Sequence, residues 1–149
     1  MPTPVPGLRS PHDQVRGLVY FGRMLDKIRL QQAGRLPEGY NLGDSHSNWF
    51  DGRCVRFLGV TYAALRERVL SGDTDEEVLA WCHENGRRPT EEEVLMFNDF
   101  LRKRGWDDDA SELVEQRKQQ FGLIDRTDIL TSFDLQDADE GRPLRRYQP

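Results

Sequence analysis

The chain has 149 residues, 36% apolar and 32% charged, with a formal net charge of −5. That is the size of one domain with a modest core and a strongly ionic surface. No run approaches the roughly 20 apolar residues of a membrane span, and the acidic total argues against general nucleic-acid binding, which needs many phosphate-neutralising side chains.

Residues 1–12 include Pro2, Pro4, Pro6 and Pro11, which resist both helix and strand, and they predict an extended arm laid across the surface. This start has neither the basic region nor the apolar stretch of a secretory signal, so the expected compartment is the cytoplasm. Cys54 and Cys82 are accordingly read as free thiols rather than a disulfide. A first helix is predicted over about 15–33, with Gly34 as its left-handed stop and Pro37 beyond. Residues 35–50 show no period and are rich in Gly, Asn and Ser, a loop long enough to carry function. It holds Tyr40, His46, Trp49 and Phe50.

Asp51 is placed to cap a short helix over 52–58 that ends at Gly59, and Thr61 to cap the next. Thr74 with Glu77, and Thr90 with Glu93, each form a capping box ahead of a helix, the first closed by Gly86 and the second ending in Arg102, Lys103 and Arg104. Asp107 or Asp108 opens a helix to about Gln120, and Thr127 or Asp128 opens a last one through Leu135. The chain from Asp137 onward is expected to fray. No segment of strand length alternates convincingly; residues 54–58 come closest, and they also fit a helix turn. The expected fold is therefore all-α, a compact single-domain bundle of six or seven short helices. The arm covers 1–12, the helical domain 13–140 and a flexible tail 141–149. The sign of charge is uneven along the chain, net +4 over residues 1–72 and net −9 over 73–149, so the two halves should attract each other when packed.

The first helix carries the main anomaly. Leu18, Phe21, Leu25 and Ile28 make an apolar stripe, and on the same wheel Arg29 falls about 40° from Leu25, where a leucine is expected. A partly buried guanidinium must be paired or hold an anion. Asp26, three residues before it, can pair with it, together with a carboxylate of the acidic half such as Asp134 or Asp137. Lys27, about 200° away, should point to water. The alternative is that Arg29 grips an anion in a pocket under the 35–50 loop, with Tyr40 or Trp49 as a lid. Gly22 costs roughly 1 kcal/mol against Ala inside a helix, so a second helix or a ligand should come close there. Asn98, on an otherwise apolar face, should be hydrogen-bonded to backbone or to a polar partner.

Arg9-Ser10-Pro11, Met24 through Arg29 with Ala33-Gly34, Phe57 through Val60, Thr74 through Trp81, and Asp128-Ile129 with Phe133-Asp134 follow one another in an order and spacing that resembles a bacterial family, domain of unknown function 5069. The resemblance spans nearly the whole chain. It implies a compact single-domain bacterial protein and brings no activity and no catalytic residue with it.

Other chemistries have little support in the residues. No Cys-x-x-Cys or His-x-x-x-His pair starts a zinc site, so no metal and no cofactor are expected. Cys54 with His46 is the one nucleophile and base pairing to consider, set against Cys54 packed with Phe57 and Leu58. Glycine loops for phosphate are absent. Two functions stay open. One is a binding or protein-interaction module, monomeric or dimeric, with an anion pocket around Arg29. The other is a small enzyme acting on an anionic metabolite between the first helix and the 35–50 loop. The candidate ligand-binding residues are Asp26, Lys27, Arg29, Tyr40 and Trp49.

Overall fold

The computed structural model describes residues 3–147, and Met1, Pro2, Gln148 and Pro149, the ends of the expected arm and tail, lie outside it. A two-stranded hairpin, β1 (Gln14–Val15) and β2 (Leu18–Val19), precedes seven helices: α1 (Phe21–Gln32), α2 (Phe50–Leu58), α3 (Tyr62–Leu70), α4 (Asp75–Asn85), α5 (Glu91–Lys103), α6 (Ser111–Gln120) and α7 (Ser132–Asp139). The fold is a compact all-α bundle, as the sequence predicts.

The helix ends follow their capping chemistry. The Thr61 hydroxyl accepts from Ala64 N, and both expected capping boxes, at Thr74 with Glu77 and at Thr90 with Glu93, are closed in both directions. Gly34 and Gly59 take left-handed conformations just past α1 and α2. Asn98 binds backbone on both sides of its amide, accepting from Val19 N at 3.1 Å and donating to Gly17 O at 2.8 Å. It thereby ties α5 to the hairpin.

Four boundaries differ from the sequence reading. Residues 14–19 do not begin α1. Arg16 and Gly17 both have positive φ, 49° and 85°, and make the tight turn that a right-twisted hairpin needs. Leu18 is buried as its place in the stripe requires, but from a strand. Trp49, not Asp51, is the N-cap of α2, and Asp51 is a buried residue in its first turn. Neither Asp107 nor Asp108 caps α6: Asp108 accepts from Gly105 N and Ala110 N in the turn before it. The last helix starts at Thr131, in a capping box with Asp134, and runs to Asp139, so Asp137 is fully buried where fraying is expected. Beyond it, Arg142 bonds Asp137, Glu140 and the carbonyl of Leu8, while Arg146 bonds Asp134.

The main core is built on Phe21, Met24, Leu25 and Ile28 of α1, all fully buried, with Leu58, Leu65, Val78, Leu101 and Phe133 from the other helices. Cys54 and Cys82 belong to it as free thiols. On the opposite side of α1, Leu30 packs with Val5 and Leu8 of the arm. α1 is thus surrounded. Arg23, Asp26 and Lys27 are buried as well, and that positions the site.

Candidate functional site

One turn of α1 and the residue preceding it present three polar groups on one side: Tyr20, Arg23 and Lys27, spaced three and four apart and therefore aligned. All three are nearly inaccessible, at 3–4% exposure. The Lys27 ammonium lies 2.9 Å from Asp51 Oδ1, donates to Tyr20 Oη at 2.8 Å and donates to the carbonyl of Asn41 at 2.6 Å. Tyr20 in turn donates to Asp51 Oδ1 at 2.8 Å, and Gly43 N donates to the other carboxylate oxygen at 2.9 Å. Lys27 therefore does not point to water. It is the anchor through which α1 holds both the 33–49 loop and α2.

Arg23 makes a two-pronged pair with Glu140 at the end of α7, at 2.8 and 2.6 Å, and also donates to Arg9 O. Tyr40 donates to the same carboxylate at 3.1 Å, so the loop is tied to α7 as well as to α1. Nε of Arg23 is buried and has no partner among the described residues, and neither has Oε1 of Gln136 in α7. Both residues line a cavity of about 670 Å³ that opens between α1, the loop and helices α6 and α7. Lys27, Tyr20 and Asp51 lie on its wall. Tyr40, His46 and Trp49 flank it from the loop, and Arg117 and Leu113 from α6.

Burial shifts the protonation chemistry of this wall. It lowers the affinity of Lys27 for its proton, against the opposing pull of Asp51. It pushes the Tyr20 hydroxyl well above its ordinary range, with the Asp51 charge acting in the same direction. Burial alone would also raise Glu140, but the Arg23 and Arg142 guanidiniums more than offset it and hold the carboxyl low. The result is a reluctant ammonium, a phenol that keeps its proton and two carboxylates bound to cations.

Tyr20 itself has φ 69°, left-handed backbone that a bulky residue seldom adopts. Such conformations cost about 1–3 kcal/mol and are held only where the surroundings dictate them. Here the chain must turn from hairpin to helix while its phenol stays between Lys27 and Asp51.

Of the five candidate residues, Lys27, Tyr40 and Trp49 meet at this cavity, whereas Asp26 and Arg29 do not line it. They belong to a four-charge cluster on another side of α1. Arg9 from the arm grips Asp26 with Nε at 2.9 Å and reaches Asp75 at 2.8 Å, and Arg29 pairs with Asp75 at 2.7 Å. Asp26 stands 3.8 Å from Arg29. The partner from the acidic half is Asp75, at the start of α4, and not Asp134 or Asp137. Gly22 is explained by the same cluster: a Cβ there would come within 2.7 Å of the Arg9 guanidinium carbon, so neither a helix nor a ligand is the close neighbour, but the arm.

The Cys54 and His46 pairing does not form. Cys54 is in the core with its thiol raised by burial, and His46 stacks edge-on against Trp49 with ring centres 4.3 Å apart. Among the described residues no three His, Cys, Asp or Glu side chains are placed to hold a metal ion, and no helix is long and apolar enough to cross a membrane.

Sequence reasoning passed over Tyr20, Arg23, Asp51 and Glu140. A signal for the first two was present: Tyr20, Arg23, Lys27 and Leu30 form a second stripe on the wheel, about 140–220° from Leu25. Leu30 marks that side as one that packs against something. Asp51 and Glu140 are distant in sequence, and nothing in spacing pairs them with α1.

No curated protein matches the chain. The family model described as Domain of unknown function (DUF5069) matches residues 5–142, which takes in most of the arm, the seven helices described above and both charge clusters, and the chain belongs to that family.

Proposed function

We propose that this protein binds a small anionic metabolite in the cavity between α1, the 33–49 loop and helices α6 and α7. The observation that carries the reading is the concentration of buried charge on one cavity wall, the pairs of Lys27 with Asp51 and of Arg23 with Glu140. Buried ion pairs are poor stabilisers, since apolar residues of the same volume do as well or better. Two of them facing one concave, partly apolar space are the usual composition of a ligand site. Arg23, whose Nε–H is unpartnered among the described residues, supplies a spare donor on the wall, and Arg117, which has no side-chain partner among the described residues, offers a cation at the α6 side. Trp49 and Tyr40 supply flat walls. A cytoplasmic setting goes with this reading and is supported by two buried free cysteines, and a bacterial one by the family resemblance.

The test is thermal unfolding with a panel of carboxylate- and phosphate-bearing metabolites. A ligand at about 100 times its Kd stabilises the folded state by about 2.7 kcal/mol, a Tm rise of roughly 5–10 °C for a domain of this size. At least one compound should produce it, and Arg117→Ala should diminish the rise while leaving the unliganded Tm in place. No shift with any anion, or full shifts in Arg117→Ala, would contradict the reading.

A further inference from the structure

We propose that Lys27 is a nucleophilic amine that forms an imine with a small oxo acid in this cavity, the acid's carboxylate being received by the free Nε–H of Arg23. The inference rests on the cavity being a ligand site and adds a covalent step to it. Three observations support it. Lys27 and Arg23 stand four residues apart on α1 and both line the same space, so an amine and an unengaged donor belong to one wall of it. A phenol at 2.8 Å and a carboxylate at 2.9 Å contact the amine nitrogen, which places a proton donor and a proton acceptor at the nucleophile. The backbone of Tyr20 is left-handed, a strained arrangement that puts the phenol there.

The proton inventory closes without any other reagent. The Lys27 ammonium gives one proton to Asp51, and the nitrogen lone pair attacks the carbonyl carbon. As the C–N bond forms, the π pair moves to oxygen, which takes the proton of Tyr20; the nitrogen then returns a proton to the phenolate. Asp51 passes its proton to the carbinol hydroxyl, which leaves as water while the nitrogen lone pair makes the C=N bond. One ammonium and one carbonyl become one iminium and one water, with no change of oxidation state. Burial favours the first transfer by lowering the proton affinity of Lys27, and it keeps Tyr20 protonated for the second.

The chain carries its own controls, because Lys103 and Lys118 are the other lysines. Lys103 is exposed; Lys118 is as buried as Lys27 but faces Glu115 and does not line the cavity. The protein is incubated with pyruvate, glyoxylate or α-ketoglutarate, reduced with borohydride and mapped by peptide mass, with calorimetric titration of the same acids run without reductant. One reduced adduct is expected on Lys27 and none on Lys103 or Lys118. Lys27→Arg should abolish it, and Tyr20→Phe should slow labelling by about a hundredfold while the binding heat persists. Binding heat with no adduct at Lys27 overturns the imine and leaves the ligand site standing. Equal labelling of all three lysines, or neither heat nor adduct, overturns the proposal as well.

Discussion

Lys27 and Arg29 show how two neighbouring cations on one helix acquire opposite roles. Arg29 keeps about a third of its side chain in water and shares Asp75 with Arg9, so Arg29→Met should cost about 1 kcal/mol or less. Lys27→Met leaves Asp51, at 1% exposure, with Tyr20 and Gly43 N as its remaining donors among the described residues, and should cost about 3–5 kcal/mol. Urea unfolding of both variants measures the difference, and a larger loss for Arg29→Met would reverse the assignment. His12 gives a pH dependence. Burial, with Arg145 and Arg102 nearby, lowers its pKa from the ordinary 6.5 to about 4, and its Nε2 is buried without a partner among the described residues. Between those two values the unfolded chain binds a proton that the folded one refuses, so this contribution is present above 6.5 and is lost as the pH falls towards 4. Urea midpoints at about pH 7.5 and about pH 5 should therefore fall less for His12→Leu than for the unaltered protein; parallel losses would mean that His12 is solvated.

The elements that were legible in the sequence are those whose ends are written locally. Thr61, Thr74, Thr90, Gly34 and Gly59 act within four residues of themselves, and each does what its type dictates. What was not legible depends on distant chain. The hairpin has only two residues per strand, too few for an alternation to register, and its turn uses Arg16 where Asn or Gly would have signalled it. On the wheel Lys27 faces solvent as long as the one apolar stripe is the whole buried surface of α1, but the arm and the loop cover the other side. Gly22 belongs to this scale too. Replacing it with Ala gains roughly 1 kcal/mol of helix propensity but displaces the Arg9 guanidinium from Asp26 and Gly22 O. Gly22→Ala should thus be neutral to destabilising in the natural background and stabilising by about 1 kcal/mol once Arg9→Ala has emptied the space. Additive effects in that double-mutant cycle would separate the glycine from the arm.

Across the whole molecule, opposite charge draws the two halves of the chain together at discrete points: Arg9 and Arg29 on Asp75, and Arg23 on Glu140. The first cluster fastens the arm and α4 to α1. The second, with Lys27 and Asp51, lines the cavity. The central claim is that ligand chemistry sits on the Tyr20, Arg23 and Lys27 side of α1 and not on the Asp26 and Arg29 side. Backbone amide chemical-shift mapping during titration with the tightest anion of the metabolite panel tests it most directly. The account predicts shifts concentrated at Tyr20, Arg23, Lys27, Tyr40 and Trp49, with Arg9, Asp26, Arg29 and Asp75 unmoved; shifts centred on the Arg9 and Asp75 cluster would contradict it.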